Sequence, residues 1–337
     1  MTQSILQQLA SPEAASPPAP PITHTATHQA AAAPGSRRWF RSPGVWLVAS
    51  IVALVWVIVG VFAALLATFG FARGRQLRRW GRIQLPPVVA GASWAHTKVT
   101  VAASEPVPAG LADQWRENGR TEHASVAAFA RLTLDLLSLG APPHLIAGAH
   151  ADAIDEIRHT ELCFSLARSL DGTTQDPGPF PAARQSMKRM GTRTLDLAML
   201  AVDSLIDGAL HEGVSARVIA KLAKRCEVAA IRGVLKEIAA DEGRHAAHGW
   251  DVVEWCVDQG GAPIAEALRG AAAALPYKSR SSLPPAAFDG AWERWGIHGD
   301  ALEREEYMAA RSYVVERVEK LWVKTRTNEP ACMPRCA

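Results

Sequence analysis

Two short stretches carry acids and histidines at helical spacing. Asp155-Glu156-Ile157-Arg158-His159 and Asp241-Glu242-Gly243-Arg244-His245 each hold a Glu-x-x-His, the only two in the chain. Each follows a lone glutamate set among apolar or small residues, with a serine three positions on: Glu122 in TEHASVAAF and Glu212 in HEGVSARVI. Residues three or four apart share a helix face. The face around Glu122 takes in Trp115, Ser125, Phe129 and Leu132; that around Glu212 takes in Leu205, Gly208, Ser215 and Ile219. Glu156 shares its face with Ala149, Asp152, His159 and Cys163, and Glu242 with Leu235, Ile238, His245, Gly249 and Val252. An unpaired carboxylate in a packed interior costs several kcal/mol or takes up a proton. No lysine or arginine lies on these stripes to neutralise them. Four carboxylates with two divalent cations would balance. Oxygen-rich ligands with two imidazoles and no thiolate favour iron, with manganese or a mixed pair as alternatives, over structural zinc. Two solvated helix faces with incidental acids are the competing reading.

The elements that must position these residues read as helices. The first spans roughly Leu111 to Leu139 and stops at Gly140; Pro142 and Pro143 open the second, where proline is tolerated, and it ends near Leu170. A long connection with Pro177, Pro179 and Pro181 leads to a third helix, about Thr194 to Ala223, and a turn near Cys226 leads to a fourth, about Glu227 to Gln259. Two helical pairs joined by one long connection suit an all-α, antiparallel four-helix bundle with one crossover, over 111–260. Residues 261–326 read as accessory helices packing on it, and 327–337 as a tail.

Here the chain resembles the ferritin-like di-iron carboxylate superfamily, over about Leu111 to Gly260. The resemblance implies that Glu122 and Glu212 are terminal metal ligands, that Glu156 and Glu242 bridge two metals, and that His159 and His245 each bind one. It also implies that Asp155 and Asp241 hydrogen-bond the histidine of the partner helix, the outer support expected of a metal-bound imidazole; ordinary surface acids are the alternative. His123, His211 and His248 neighbour the ligands but project off their face, toward the rim. The small residues Ser125, Gly208, Ser215 and Ala246 either leave room for a bound oxidant or serve close helix packing.

Before the bundle, 1–42 are rich in Ala, Pro, Ser and Thr and read as a disordered tail. Gly44 to Ala72 carry no charge, long enough to span a bilayer, so 43–72 are expected to be one transmembrane helix. Arginines flank it on both sides, more of them after it (Arg73, Arg75, Arg78, Arg79, Arg82); that excess orients the large domain toward the cytoplasm. Residues 73–110 read as a basic flank and linker, with GASWAHTKVTVAA as its one candidate strand. The net charge is +3 over 337 residues, with no basic stripe suggesting nucleic acid. The five cysteines fit no zinc or disulfide framework; Cys332 and Cys336 form a C-x-x-x-C in the tail.

Tyrosine occurs only at Tyr277, Tyr307 and Tyr313, outside the bundle, which argues against a tyrosyl-radical generator. The anchor sits badly with a closed ferritin cage. The expectation is a membrane-anchored di-iron oxidoreductase reacting with O2 or peroxide, with an electron donor that the sequence does not name, and acting on an apolar substrate such as one arriving from the bilayer. The alternatives are an iron-handling or oxidative-stress protein with ferroxidase or peroxidase activity and no organic substrate, and a non-catalytic scaffold. A homodimer is compatible with all three.

Overall fold

The computed structural model describes residues 75, 77–79, 82–96, 99–102, 105–181, 191–277 and 292–328. The apolar run 44–72, the N-terminal tail and Cys332 and Cys336 lie outside them. Among the described residues no helix is long and apolar enough to cross a membrane.

The described chain is mostly helical. Helix α1 (Leu111–Leu139) ends where Gly140 turns left-handed at φ 70° and its N–H meets the carbonyls of Leu136 and Leu137. Pro142 caps α2 (Pro143–Asp171), which stops at Gly172, φ 74°. Helix α3 (Arg193–Asp203) starts under a Thr192 cap, its side chain accepting from the Leu195 N–H. It runs into a π-helical segment, Ser204–Glu212, and continues as α4 (Gly213–Arg225). Helix α5 (Ala229–Gly260) follows. Then come α6 (Ala262–Ala274), a 3-10 turn (Glu293–Trp295) and α7 (Asp300–Asn328). The expected helices are present, with ends shifted by a few residues.

Helix α1 packs along α2, while α5 packs along the π segment, α3 and α4; α2 and α5 join the halves, and α6 and α7 lie against α3, α4 and each other. One large apolar cluster centres on Phe129, Leu136, Leu205, Val253 and Cys256 and includes Tyr307, Val314 and Val318 of α7. A second joins Leu111, Trp115, Leu162, Leu222, Ile238 and Ile297. The acids and histidines of the two motifs fall between these clusters along the helices. That buried polar layer needs its own explanation, because apolar packing on both sides keeps water from paying its solvation.

The linker differs from expectation. Its strand pairing falls at β3 (Val88–Ala90), ahead of GASWAHTKVTVAA, and joins antiparallel to β4 (Gln175–Pro177); β1 (Arg78–Arg79) and β2 (Arg82–Ile83) form another short ladder. The reason lies with Asp176, whose carboxylate accepts the N–H groups of Ser93 and Trp94 at 2.8 and 3.0 Å. Those two donors are thereby spent on a turn instead of a ladder.

Candidate metal centre

The six residues singled out by spacing come together. Ligand atoms of Glu122, Glu156, His159 and Glu242 lie within 4.8 Å of one another, and so do those of Glu156, Glu212, Glu242 and His245. Glu156 and Glu242 belong to both groups, each of which could hold a metal ion. Glu156, His159 and Glu212 are wholly buried, Glu242 and His245 nearly so; Glu122 is partly buried and also lines a small cavity.

The local backbone explains the convergence. α2 and α5 each present their glutamate and histidine one turn apart, on the face turned toward the other helix. On the third helical segment of the site the helix widens, and Glu212 is the last residue of the π segment. There α5 comes into backbone contact: a Cβ on Gly249 would stand 2.7 Å from the Ala209 nitrogen, and one on Gly208 would stand 3.0 Å from the Gly249 Cα. Any side chain at either position would push Glu212 away from Glu242 and His245. Gly208 therefore serves close packing, one of the two roles weighed for it.

The two imidazoles are held alike. His159 Nε2 lies 3.0 Å from Asp241 Oδ2, and His245 Nε2 lies 3.3 Å from Asp155 Oδ2. Each aspartate reaches across to the histidine of the other helix. With Nε2–H donating to a carboxylate, Nδ1 carries the lone pair. Both Nδ1 atoms point inward: His159 Nδ1 is 3.7 Å from Glu156 and 3.8 Å from Glu242, and His245 Nδ1 is 3.3 Å from Glu156. The exposed Arg244 guanidinium ties the supports together, 2.9 Å from Asp155 and 2.7 Å from Asp241.

The other neighbours sort differently. His248, buried, sits 2.5 Å from Asp152 and 3.0 Å from the Leu145 carbonyl. Asp152 in turn stands 3.8 Å from His245, so Asp152, Asp155 and His245 form a third acidic grouping, already engaged in hydrogen bonds. His211 is buried against Asp207 at 3.2 Å. His123 meets Trp94 edge-on and Phe180 at a tilt, where burial lowers its pKa. None of the three joins the six-residue cluster.

Without cations the cluster balances its charge with protons. Burial first, then the neighbouring carboxylates, push Glu122 and Glu242 well above the usual carboxylate range. Burial likewise lifts Glu212 to about 7. Burial would lift Glu156 too, but the facing imidazoles of His159 and His245, 3.7 and 3.3 Å away, outweigh it and hold that carboxyl at about 2. Burial disfavours both imidazolium ions, yet Asp241 and Glu156 raise His159 to about 10, and Asp155 and Glu156 raise His245 to about 11.

No family model, curated protein or solved structure matches this chain. The site must therefore be judged on its own atoms. Both Glu156 oxygens, Glu212 Oε2, Glu242 Oε2, His159 Nδ1 and His245 Nδ1 are all buried without a hydrogen-bond partner. Buried polar atoms are rarely left so. Here such atoms gather at one point and are all lone-pair donors, so the residues present fit bound cations.

Two features escaped sequence reasoning. The π segment left no trace in a 3.6-residue pattern. Arg75, expected in the basic flank, is buried, and its main-chain N–H donates to Glu212 Oε1 at 2.6 Å. No periodicity could have linked it to a residue so distant in sequence.

A cavity adjoins Glu122, lined mainly by Trp115, Cys163, Ile219, Leu235, Ile238 and Ile297, with Ser215 and His298 among its polar members. It leaves about 40 Å³ for the centres of water-sized molecules, where a single water needs roughly 10–15 Å³.

Proposed function

We propose that this chain is a ferritin-like dimetal carboxylate protein, with two irons, or manganese or a mixed pair, held by Glu122, Glu156, His159, Glu212, Glu242 and His245, and that it acts as an oxidoreductase on O2 or peroxide. The observation that carries this is the convergence of six acids and imidazoles from four helical segments, five of them with buried oxygens or nitrogens that have no hydrogen-bond partner. Glu156 and Glu242, common to both groupings, would be the shared ligands. Glu122 with His159, and Glu212 with His245, would complete one position each.

When bound, the metals would supply redox chemistry and polarise a small oxidant. The chain's own residues do the rest. Asp241 and Asp155 fix the imidazole tautomers, so that Nδ1 is free to ligate. The paired apolar clusters exclude water, which strengthens every charge interaction inside. The cavity beside Glu122 gives a small molecule a largely apolar place to wait. Its size favours a substrate such as O2 or peroxide over an organic ring. That supports the ferroxidase or peroxidase reading, with no organic substrate, over hydroxylation of an apolar molecule from the bilayer.

The test is metal analysis of the full chain purified in air, followed by optical spectra as O2 or peroxide is added. About two irons per chain are expected, with spectral changes on adding oxidant. Glu156→Ala combined with Glu242→Ala should abolish both; unchanged stoichiometry in that variant would refute the site.

A further inference from the structure

Arg75 lies outside every helix that supplies a carboxylate, yet only 6% of its surface is exposed. Its main-chain N–H donates to Glu212 Oε1. Its guanidinium carbon stands 5.5 Å from the centre of the Phe129 ring, and that ring meets His245 edge-on at 5.3 Å. On the other side, a Cβ on Gly208 would fall 2.7 Å from Arg75 Nη2, so the guanidinium fills space that the glycine leaves. The chain around it is fastened as well. Leu77 is buried, its carbonyl accepts the Gln84 N–H at 2.9 Å, and β1 and β2 pair between them.

The effect on Glu212 is specific. One carboxylate oxygen is occupied by the Arg75 amide, whereas the other, Oε2, is buried and unpartnered. A carboxylate held this way keeps one oxygen for ligation and cannot swing about its own axis. We propose, building on the dimetal reading above, that Arg75 is a positioning residue of the Glu212–His245 metal position. Its main-chain N–H fixes Oε1 so that Oε2 is the ligating atom, and its side chain wedges between Phe129 and Gly208 to seal that flank from water.

Only proline removes the N–H, which separates the amide from the side chain. The full chain is loaded with Co(II), whose visible spectrum reports ligand geometry, as wild type, Arg75→Pro and Arg75→Ala. Arg75→Pro should weaken one of two cobalt positions roughly tenfold or more, the scale seen for lost outer supports, and alter its spectrum, leaving the other position unchanged. Arg75→Ala keeps the N–H and loses only the side chain's cover of that flank, so it should weaken the same position clearly less than Arg75→Pro does. Wild-type behaviour of Arg75→Pro, or an equal loss in Arg75→Ala, overturns the proposal. Should Arg75→Pro lose helicity, hydrogen exchange decides. The Arg75 amide should be protected in the wild-type chain, and Glu212→Ala should speed its exchange roughly tenfold or more, the worth of a hydrogen bond to a charged group. The amides of α2 should hold. An unprotected Arg75 amide, or one indifferent to Glu212→Ala, overturns the proposal. A wild-type chain that takes up no cobalt sinks the dimetal reading instead, and the exchange result then judges the Arg75–Glu212 contact by itself.

Discussion

A buried carboxylate kept for a cation should be a burden when the cation is gone, and Glu212 allows the burden to be measured. Burial lifts its pKa to about 7 from an ordinary 4.5. Above pH 4.5 the unfolded chain releases this proton while the folded chain keeps it. The folded state then binds more protons, so stability falls as pH rises. The fall continues to about pH 7 and then levels off. A difference of about 2.5 pH units at 1.36 kcal/mol each comes to about 3 kcal/mol. Glu212→Gln removes the titration and still offers an oxygen to the Arg75 N–H. In chelator at pH 8, the metal-free Glu212→Gln chain should therefore be more stable than metal-free wild type by up to about 3 kcal/mol. The gap should close as pH falls toward 4.5. With Mn(II) or Fe(II) in large excess the order should reverse, because a cation at a thousand times its dissociation constant adds about 4.1 kcal/mol to wild type. Urea unfolding of both chains, with and without metal at several pH values, gives all four numbers. If metal-free Glu212→Gln is the less stable chain at pH 8, Glu212 is a structural hydrogen-bond partner and the argument from burial fails.

Asp155→Asn and Asp241→Asn should each lower metal affinity by about 10- to 100-fold, measured by competition with a chelator of known strength, with helicity unchanged. Gly249→Ala should destabilise the fold by about 1–3 kcal/mol, since the added methyl meets the backbone at Ala209 and Gly208; a neutral result in urea unfolding would deny the close helix approach. Ile219→Phe, filling the cavity beside Glu122, should leave metal content intact and slow oxidant consumption followed with an oxygen electrode.

Much of the site was legible because helices convert sequence spacing directly into shared faces. Glu156 with His159, and Glu242 with His245, needed only a three-residue step to be placed together. The cross-helix partners Asp155 and Asp241 followed from one resemblance, since each sits beside a motif that occurs twice. What stayed hidden depended on contacts that no local period encodes. The widened turn ending at Glu212 inserts one extra step into a pattern that still looks regular. Arg244 lies off the ligand stripe and is exposed, but its bridging of two aspartates depends on how α2 and α5 face each other. The linker strand was misplaced because Asp176, far along the chain, captures the amides of Ser93 and Trp94.

The Arg75 contact has a mechanical consequence. Ala72 closes the uncharged run and Arg75 follows three positions later, a length of chain that stretches to no more than about 11 Å. The covalent leash between the end of that run and the Glu212 flank of the bundle is thus three residues long. Tension on the leash would be felt first at a carboxylate oxygen, long before it reached the helices.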